Sequence, residues 1–192
     1  MLKLDSIRSY LRPYSITQRR KTTMNNAFAS AIAENTEYDP GAVAKAIQFL
    51  NLERKGELLC FYCDRPSQTW DHVKALVKNG EYSGFGHTLG NLVPCCKDCN
   101  SKKGNKDPEA YLEYKFPRDK RKREHKLHLL KVYQRRYLPS VVDQSEMERL
   151  CPAEMRELER LKRRILRDME KADEIAKTVR ESVSVHRQRT NR

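Results

Sequence analysis

Apolar residues recur three and four apart along several stretches of the chain, and each such stretch predicts a helix. Met24, Ala27, Phe28, Ala31 and Ile32 make one face, with Thr22 or Thr23 as its N-cap. Asp39-Pro40, an N-cap followed by proline in the first turn, starts a second helix with Val43, Ala46, Ile47 and Leu50 on its face. These two are expected to pack together as scaffold. Asp107-Pro108 starts another helix, through Tyr111 and Leu112 to Pro117, and Gly104 stops the one before it. Arg118 to Arg136 follows, with Leu127, Leu130, Tyr133 and Tyr137 as its stripe and Pro139 as its end. Ser145 or Pro152 then opens a long helix reaching about Val183. Its apolar positions Leu158, Leu161, Ile165, Met169, Ala172, Ala176 and Val179 are near a heptad but slip at Asp168. The pattern reads either as a dimer seam or as a helix folded back on a core. Residues 1–21 mix apolar side chains with Arg8, Arg12, Arg19, Arg20 and Lys21, and Pro13 breaks any helix there. They read as an arm on a partner or as a loosely packed terminus. His186 to Arg192 reads as a disordered basic tail.

Between these helical stretches lies CFYCDRPSQTWDHVKALVKNGEYSGFGHTLGNLVPCCKDCNSKKGNK, from Cys60 to Lys106. The pairs Cys60/Cys63 and Cys96/Cys99 each leave two residues between thiols, the spacing of a knuckle whose sulfurs converge on one zinc ion. Cys95 lies next to Cys96, but only Cys96 keeps the two-residue gap to Cys99, so Cys96 is the ligand and Cys95 a small core residue. Cys151 has no partner spacing. A structural zinc site needs nothing more than the cysteines, yet this stretch also carries Asp71-His72 and Asn100. The carboxylate and the amide oxygen are hard donors suited to magnesium, and the imidazole is suited to proton transfer near neutral pH. Gly84-Phe85-Gly86-His87 permits a tight bend or a close backbone approach. His87 reads equally as a polar loop residue or as one that reaches a phosphate or the edge of the site.

The blocks CFYC, WDHV, NLVPCCKDCN and SKKGNK fall in the order of the HNH endonuclease family, which this stretch resembles through His72, Asn91 and Asn100. The resemblance covers about a quarter of the chain. One position departs from the commoner form, with Asn100 where histidine often stands. The resemblance implies a ββα-metal fold: a first strand ending near Trp70-Asp71-His72, a second carrying Asn91-Leu92-Val93, and a helix from about Cys96 that carries Asn100. It further implies that Asp71 and Asn100 hold one divalent metal, magnesium or manganese. His72 would be the general base, and Asn91 would fix the loop that orients it. The products would carry a 5′-phosphate and a 3′-hydroxyl. Trp70, placed in a strand, is expected in the core.

Charge adds a partner. The 192 residues hold 39 Lys+Arg and 26 Asp+Glu, a formal net charge of +13, which favours a polyanion. From Pro117 onward there are 22 basic and 13 acidic residues, against 17 and 13 before it. The run Arg118 to Arg136, with nine Lys+Arg and two Asp+Glu, reads as a phosphate-tracking face or as a solvated one. Candidate phosphate contacts are Lys102, Lys103, Lys106, Arg121, Lys122 and Arg123. With 38% hydrophobic residues a single large core is not expected, and zinc would compensate for a small one. No secretory signal and no membrane-length apolar run is present, and cysteines at metal spacing fit a reducing, intracellular (cytoplasmic) setting.

The expected fold is therefore α+β and mostly helical. A small ββα-metal core with structural zinc occupies residues 57–116, N-terminal helices residues 1–56, and a basic helical extension, DNA-binding or dimerising, residues 117–192. The expected activity is metal-dependent hydrolysis of DNA, in a restriction or phage setting on family grounds. The alternatives are a non-catalytic zinc-dependent DNA-binding module and a nuclease directed at RNA.

Overall fold

The computed structural model describes residues 4–78 and 80–190, so Met1–Lys3 of the expected N-terminal arm and Asn191–Arg192 of the expected tail lie outside the described residues. The chain divides into two units, Phe28–Leu150 and, from its two ends, Met1–Ala27 with Cys151–Arg192. The fold is mostly helical α+β, with three two-stranded antiparallel sheets among the described residues.

In the unit built from the two ends, a short 3-10 turn at Leu4–Ser9 precedes helix α1 (Ile16–Ile32), whose last residues belong to the other unit. Helix α1 begins at Ile16, well before the Thr22–Thr23 start that local pattern predicts. The reason is a remote cap: Asp173 accepts from the Ser15 hydroxyl (2.9 Å) and from the N–H groups of Ile16 (2.7 Å) and Thr17 (3.0 Å). Those donors would otherwise be orphaned at the helix start, and they hold the Asp173 carboxyl down at about 2. Asp173 belongs to the 39-residue helix α7 (Pro152–Thr190). That helix runs past Val183 through His186–Thr190, where disorder was expected. Ile165, Ile175, Val179 and Val183 are exposed on it.

In the other unit, α2 (Pro40–Leu50) starts where Asp39 accepts from the N–H of Gly41 (2.7 Å) and Ala42 (3.2 Å). It ends at Asn51, which takes the left-handed conformation (φ 51°). The hairpin β1 (Glu53–Arg54) and β2 (Glu57–Leu58) leads into the first cysteine pair. Strand β3 (Thr69–His72) is followed by the small hairpin β4 (Val77–Lys78) and β5 (Glu81–Tyr82). A 3-10 turn at Leu89–Asn91 then enters β6 (Leu92–Cys95) and helix α3 (Lys97–Lys103). Asn91 closes the turn rather than opening the strand. Strand β3 pairs with β6 in the register Thr69–Cys95, Trp70–Pro94, Asp71–Val93 and His72–Leu92, and α3 packs on β3. Helices α4 (Pro108–Lys115), α5 (Lys120–Tyr137) and α6 (Gln144–Leu150) complete the unit.

Its core gathers Leu50, Leu52, Phe61, Tyr62, Val73, Val93, Tyr111, Leu112, Leu130 and Tyr133 around the cysteines. Helix α2 packs on α5, where Phe49 meets Tyr133 and Tyr137 ring to ring. The apolar stripe read from the sequence is the face α5 buries: Leu130 and Tyr133 fully, Leu127 and Tyr137 in part. Gly90 shows how closely α5 approaches, because a Cβ there would lie 2.3 Å from the Leu138 amide nitrogen. Trp70, expected in the core, is instead 43% exposed. Side chains alternate along a strand, and with Asp71 turned inward its neighbour Trp70 faces out.

Candidate functional site

The four thiols assemble from two local turns. The chain bends at Asp64 (φ 60°), with the Cys60 N–H on the Arg65 carbonyl (2.7 Å) and the Asp64 N–H on the Cys60 carbonyl (2.9 Å). Cys96 is the N-cap of α3, and its sulfur accepts the Cys99 N–H (3.4 Å). A bond from the Phe61 N–H to the Pro94 carbonyl (2.9 Å) joins the two turns. As a result the sulfurs of Cys60, Cys63, Cys96 and Cys99 all lie within 4.8 Å of one another. Tetrahedral zinc with Zn–S near 2.3 Å sets its sulfurs roughly 3.8 Å apart, and Cys63 and Cys96 stand at 3.6 Å. Arg65 points Nε–H at the Cys63 sulfur (3.4 Å) and Nη2–H at that of Cys96 (3.8 Å), cationic donors suited to thiolates. The set fits zinc, and because four protein ligands leave no open position, an ion held there would be structural. Cys95 stands outside it, 3.9 Å from the Cys60 sulfur. The contact with the Cys95 sulfur lowers the Cys60 thiol, against burial.

Beside this cluster the β3–β6 pair presents the polar residues. Asp71 is 4% exposed. It accepts the Tyr62 hydroxyl at Oδ2 (2.7 Å) and the Lys103 ammonium at Oδ2 (3.1 Å) and Oδ1 (3.3 Å). Lys103 also donates to the His72 carbonyl (2.7 Å) and is fully buried. Burial pushes the Asp71 carboxyl up, and the Lys103 and Tyr62 donors oppose it. Lys103 therefore faces inward, four residues after Cys99 on the same side of α3, and is not available to a phosphate as the sequence suggested.

His72 is part-buried, and its Nε2 stands 3.0 Å from Nδ1 of His87. Burial, then the neighbouring His87 and Lys103, lowers the His72 imidazole to about 4, so it is neutral at neutral pH. Asn91, fully buried, spends its whole amide on the connecting loop. Its Oδ1 accepts the Lys74 N–H (2.8 Å), and its Nδ2 donates to the carbonyls of Lys74 (3.0 Å) and Gly86 (3.0 Å). Asn100 turns its Nδ2 to the Trp70 carbonyl (3.3 Å) and the Thr69 hydroxyl (3.5 Å), which leaves its Oδ1 as an acceptor. Asp71 thus lies in β3 and Asn100 on α3 beside it, and among the described residues the two side chains share no hydrogen-bond partner.

A hard divalent cation asks for oxygen donors, and Asp71 and Asn100 each carry one, but the Asp71 carboxylate is buried and already accepts from Tyr62 and Lys103. Any cation there shares Asp71 with Lys103. His87 is the functional candidate that sequence reasoning left open, and Lys103 is the one it misplaced.

Of the other basic candidates, Lys102 is exposed and pairs with Asp98 (2.9 Å), and exposed Lys106 donates to the Lys102 carbonyl (2.8 Å). Arg121 is exposed. Lys122 pairs with Asp64 (3.1 Å), and Arg123 donates to the carbonyls of Phe116 (2.9 Å) and Pro117 (3.1 Å). Lys126 is mostly buried, donating to the Phe61 carbonyl and to Asp64 (3.0 Å), which ties α5 to the first cysteine turn. No helix among the described residues is long and apolar enough to cross a membrane.

The model of one family, described as HNH endonuclease, matches residues 60–106. No curated protein and no solved structure matches the chain.

Proposed function

Residues 60–106 are an HNH endonuclease domain, and from that premise we propose that the chain is a metal-dependent endonuclease that hydrolyses phosphodiester bonds of DNA. One observation carries the reading: the matched segment folds as a strand pair and a helix beside a four-cysteine cluster, with His72, Asn91 and Asn100 in family order.

His72 is the general base. Neutral at working pH, it takes a proton from the attacking water. Asn91 holds the chain on both sides of the loop after β3 and so keeps the imidazole in place. Asp71 and Asn100 would hold one divalent cation, magnesium or manganese. Such a cation would supply Lewis-acid stabilisation of charge on the phosphate and the departing 3′-oxygen. The four cysteines hold structural zinc and keep β3, β6 and α3 in register. Lys102, Lys106 and Arg121, with the solvent side of α5, meet backbone phosphates. Lys122 and Arg123 serve there only by leaving their present partners. A two-fold assembly through the exposed apolar positions of α7 would let both strands be cut, and sedimentation with and without duplex tests it.

The Asp71–Lys103 pair favours a second reading, a zinc-dependent DNA-binding module without catalysis, because the carboxylate is already matched by an ammonium. Supercoiled plasmid separates the two. Under the first reading, zinc-loaded protein with magnesium or manganese nicks or linearises the plasmid, EDTA stops it, and Asp71→Ala and Asn100→Ala each lower the rate on the order of 10²-fold or more. Under the second, plasmid is retarded in a gel and never cut. Cleavage of RNA in preference to duplex DNA would reassign the substrate.

A further inference from the structure

We propose that His87 is a positioning residue for His72. It accepts the His72 Nε2–H at its own Nδ1, and so leaves the lone pair on Nδ1 of His72 for the attacking water. The inference rests on the reading of His72 as the base.

A separation of 3.0 Å between the two ring nitrogens is a hydrogen-bond distance, so one proton lies between them. The rings meet at 67° with centroids 5.0 Å apart, so this is not a stack. Only two neutral arrangements are available. If His87 donated, the His72 Nε2 lone pair would be consumed and its Nδ1 would carry the remaining proton, which leaves no base. If His72 donates, its Nδ1 is bare. The second arrangement also puts both imidazoles in the Nε2–H form, the commoner one for free neutral histidine, so neither ring adopts the rarer tautomer. A third group that fixes the tautomer of a base is the general logic of activated sites.

His87 is held for this task on three sides. Its N–H donates to the Glu34 carbonyl (2.7 Å), and its carbonyl accepts the Thr36 N–H (3.2 Å), a short parallel bridge at Asn35. Gly86 lets that bridge form, since a Cβ there would stand 2.0 Å from the Glu34 carbonyl oxygen. The Asn91 amide then bonds Lys74, two residues after His72, and Gly86, one residue before His87. A single buried side chain therefore sets the spacing of both imidazoles.

The test uses the full zinc-loaded chain and compares His87→Ala with His87→Asn, whose amide oxygen stands close to where Nδ1 was. Plasmid cleavage gives kcat and KM, side-chain 15N NMR gives the His72 tautomer, and bound metal per chain is measured for each protein. The expected result is a kcat lower on the order of 10²-fold in His87→Ala with KM unchanged, and most of the activity kept in His87→Asn. The His72 signal should show protonated Nε2 and bare Nδ1 in the wild type and in His87→Asn, and a tautomer mixture in His87→Ala. A kcat for His87→Ala within twofold of wild type, or a wild-type His72 protonated on Nδ1, overturns the proposal. So does a metal ion lost per chain in His87→Ala, which would make the pair a ligand set. A wild type that cuts no nucleic acid overturns the endonuclease reading instead, and the NMR tautomers then decide the pairing by themselves.

Discussion

Lys103→Met removes the ammonium from the centre of the site and keeps the length of the stem. In the wild type that ammonium is fully buried against an Asp71 side chain that is 5% exposed, at 3.1 Å, and it also bonds the His72 carbonyl at 2.7 Å. Removing one member of a buried pair leaves an uncompensated charge, at a cost of about 3–5 kcal/mol. The orphaned carbonyl belongs to the same loss. Domains of this size are stable by about 5–15 kcal/mol, so roughly a fifth or more of the margin is at stake. Urea unfolding of zinc-loaded protein should show the midpoint falling at unchanged slope, and thermal unfolding should drop by roughly 10 °C. The double variant Asp71→Asn/Lys103→Met removes both charges and should recover at least ~1 kcal/mol of that loss, a coupling that only contact partners show. A single-variant cost below ~1 kcal/mol, or losses that simply add, would refute the reasoning, because surface ion pairs behave that way.

Three further outcomes follow from the same geometry. Chelating the zinc, or Cys60→Ser, should unfold the segment that carries β3, β6 and α3, read as loss of Trp70 emission contrast and of amide protection there; a retained fold without metal would contradict the role given to the four sulfurs. His72 is lowered to about 4 in the folded protein against an ordinary ~6.5, so between these values the unfolded state binds the extra proton. Stability should therefore be full above pH ~6.5 and fall by about 2 kcal/mol as pH drops towards 4, after allowance for partial exposure, and His72→Phe should flatten that part of the profile. Gly90→Ala forces a methyl against the Leu138 backbone nitrogen at 2.3 Å and should cost ~1–3 kcal/mol in unfolding experiments, whereas Gly56→Ala, with no neighbour in reach, should cost only its φ of 79°.

The four-cysteine cluster and the strand–strand–helix order were legible because both are local. Two-residue gaps make knuckles, and the blocks around His72, Asn91 and Asn100 follow one another along the chain. The faces of α2 and α5 were legible for the same reason. What escaped depended on partners far apart in sequence. The start of α1 is set by Asp173, 157 positions after Ile16, which no window on the helix contains. Lys103 looks like Lys102 and Lys106 in composition, and only its phase, four after buried Cys99, marks it as inward-facing. Trp70 follows from the same kind of argument: a strand that buries Asp71 exposes its neighbour. The pairing of His87 with His72 arises from the bridge to Asn35 and from Gly86, neither of which leaves a periodic signal.

The most direct measurement is on an end-labelled duplex incubated with zinc-loaded wild type and with His72→Ala in the same magnesium buffer, with the product ends identified chemically. The account predicts 5′-phosphate and 3′-hydroxyl ends from the wild type and a rate on the order of 10²–10⁴-fold lower without the imidazole. Equal cleavage by the two proteins, or an intact duplex with the wild type at every divalent metal tried, would contradict it.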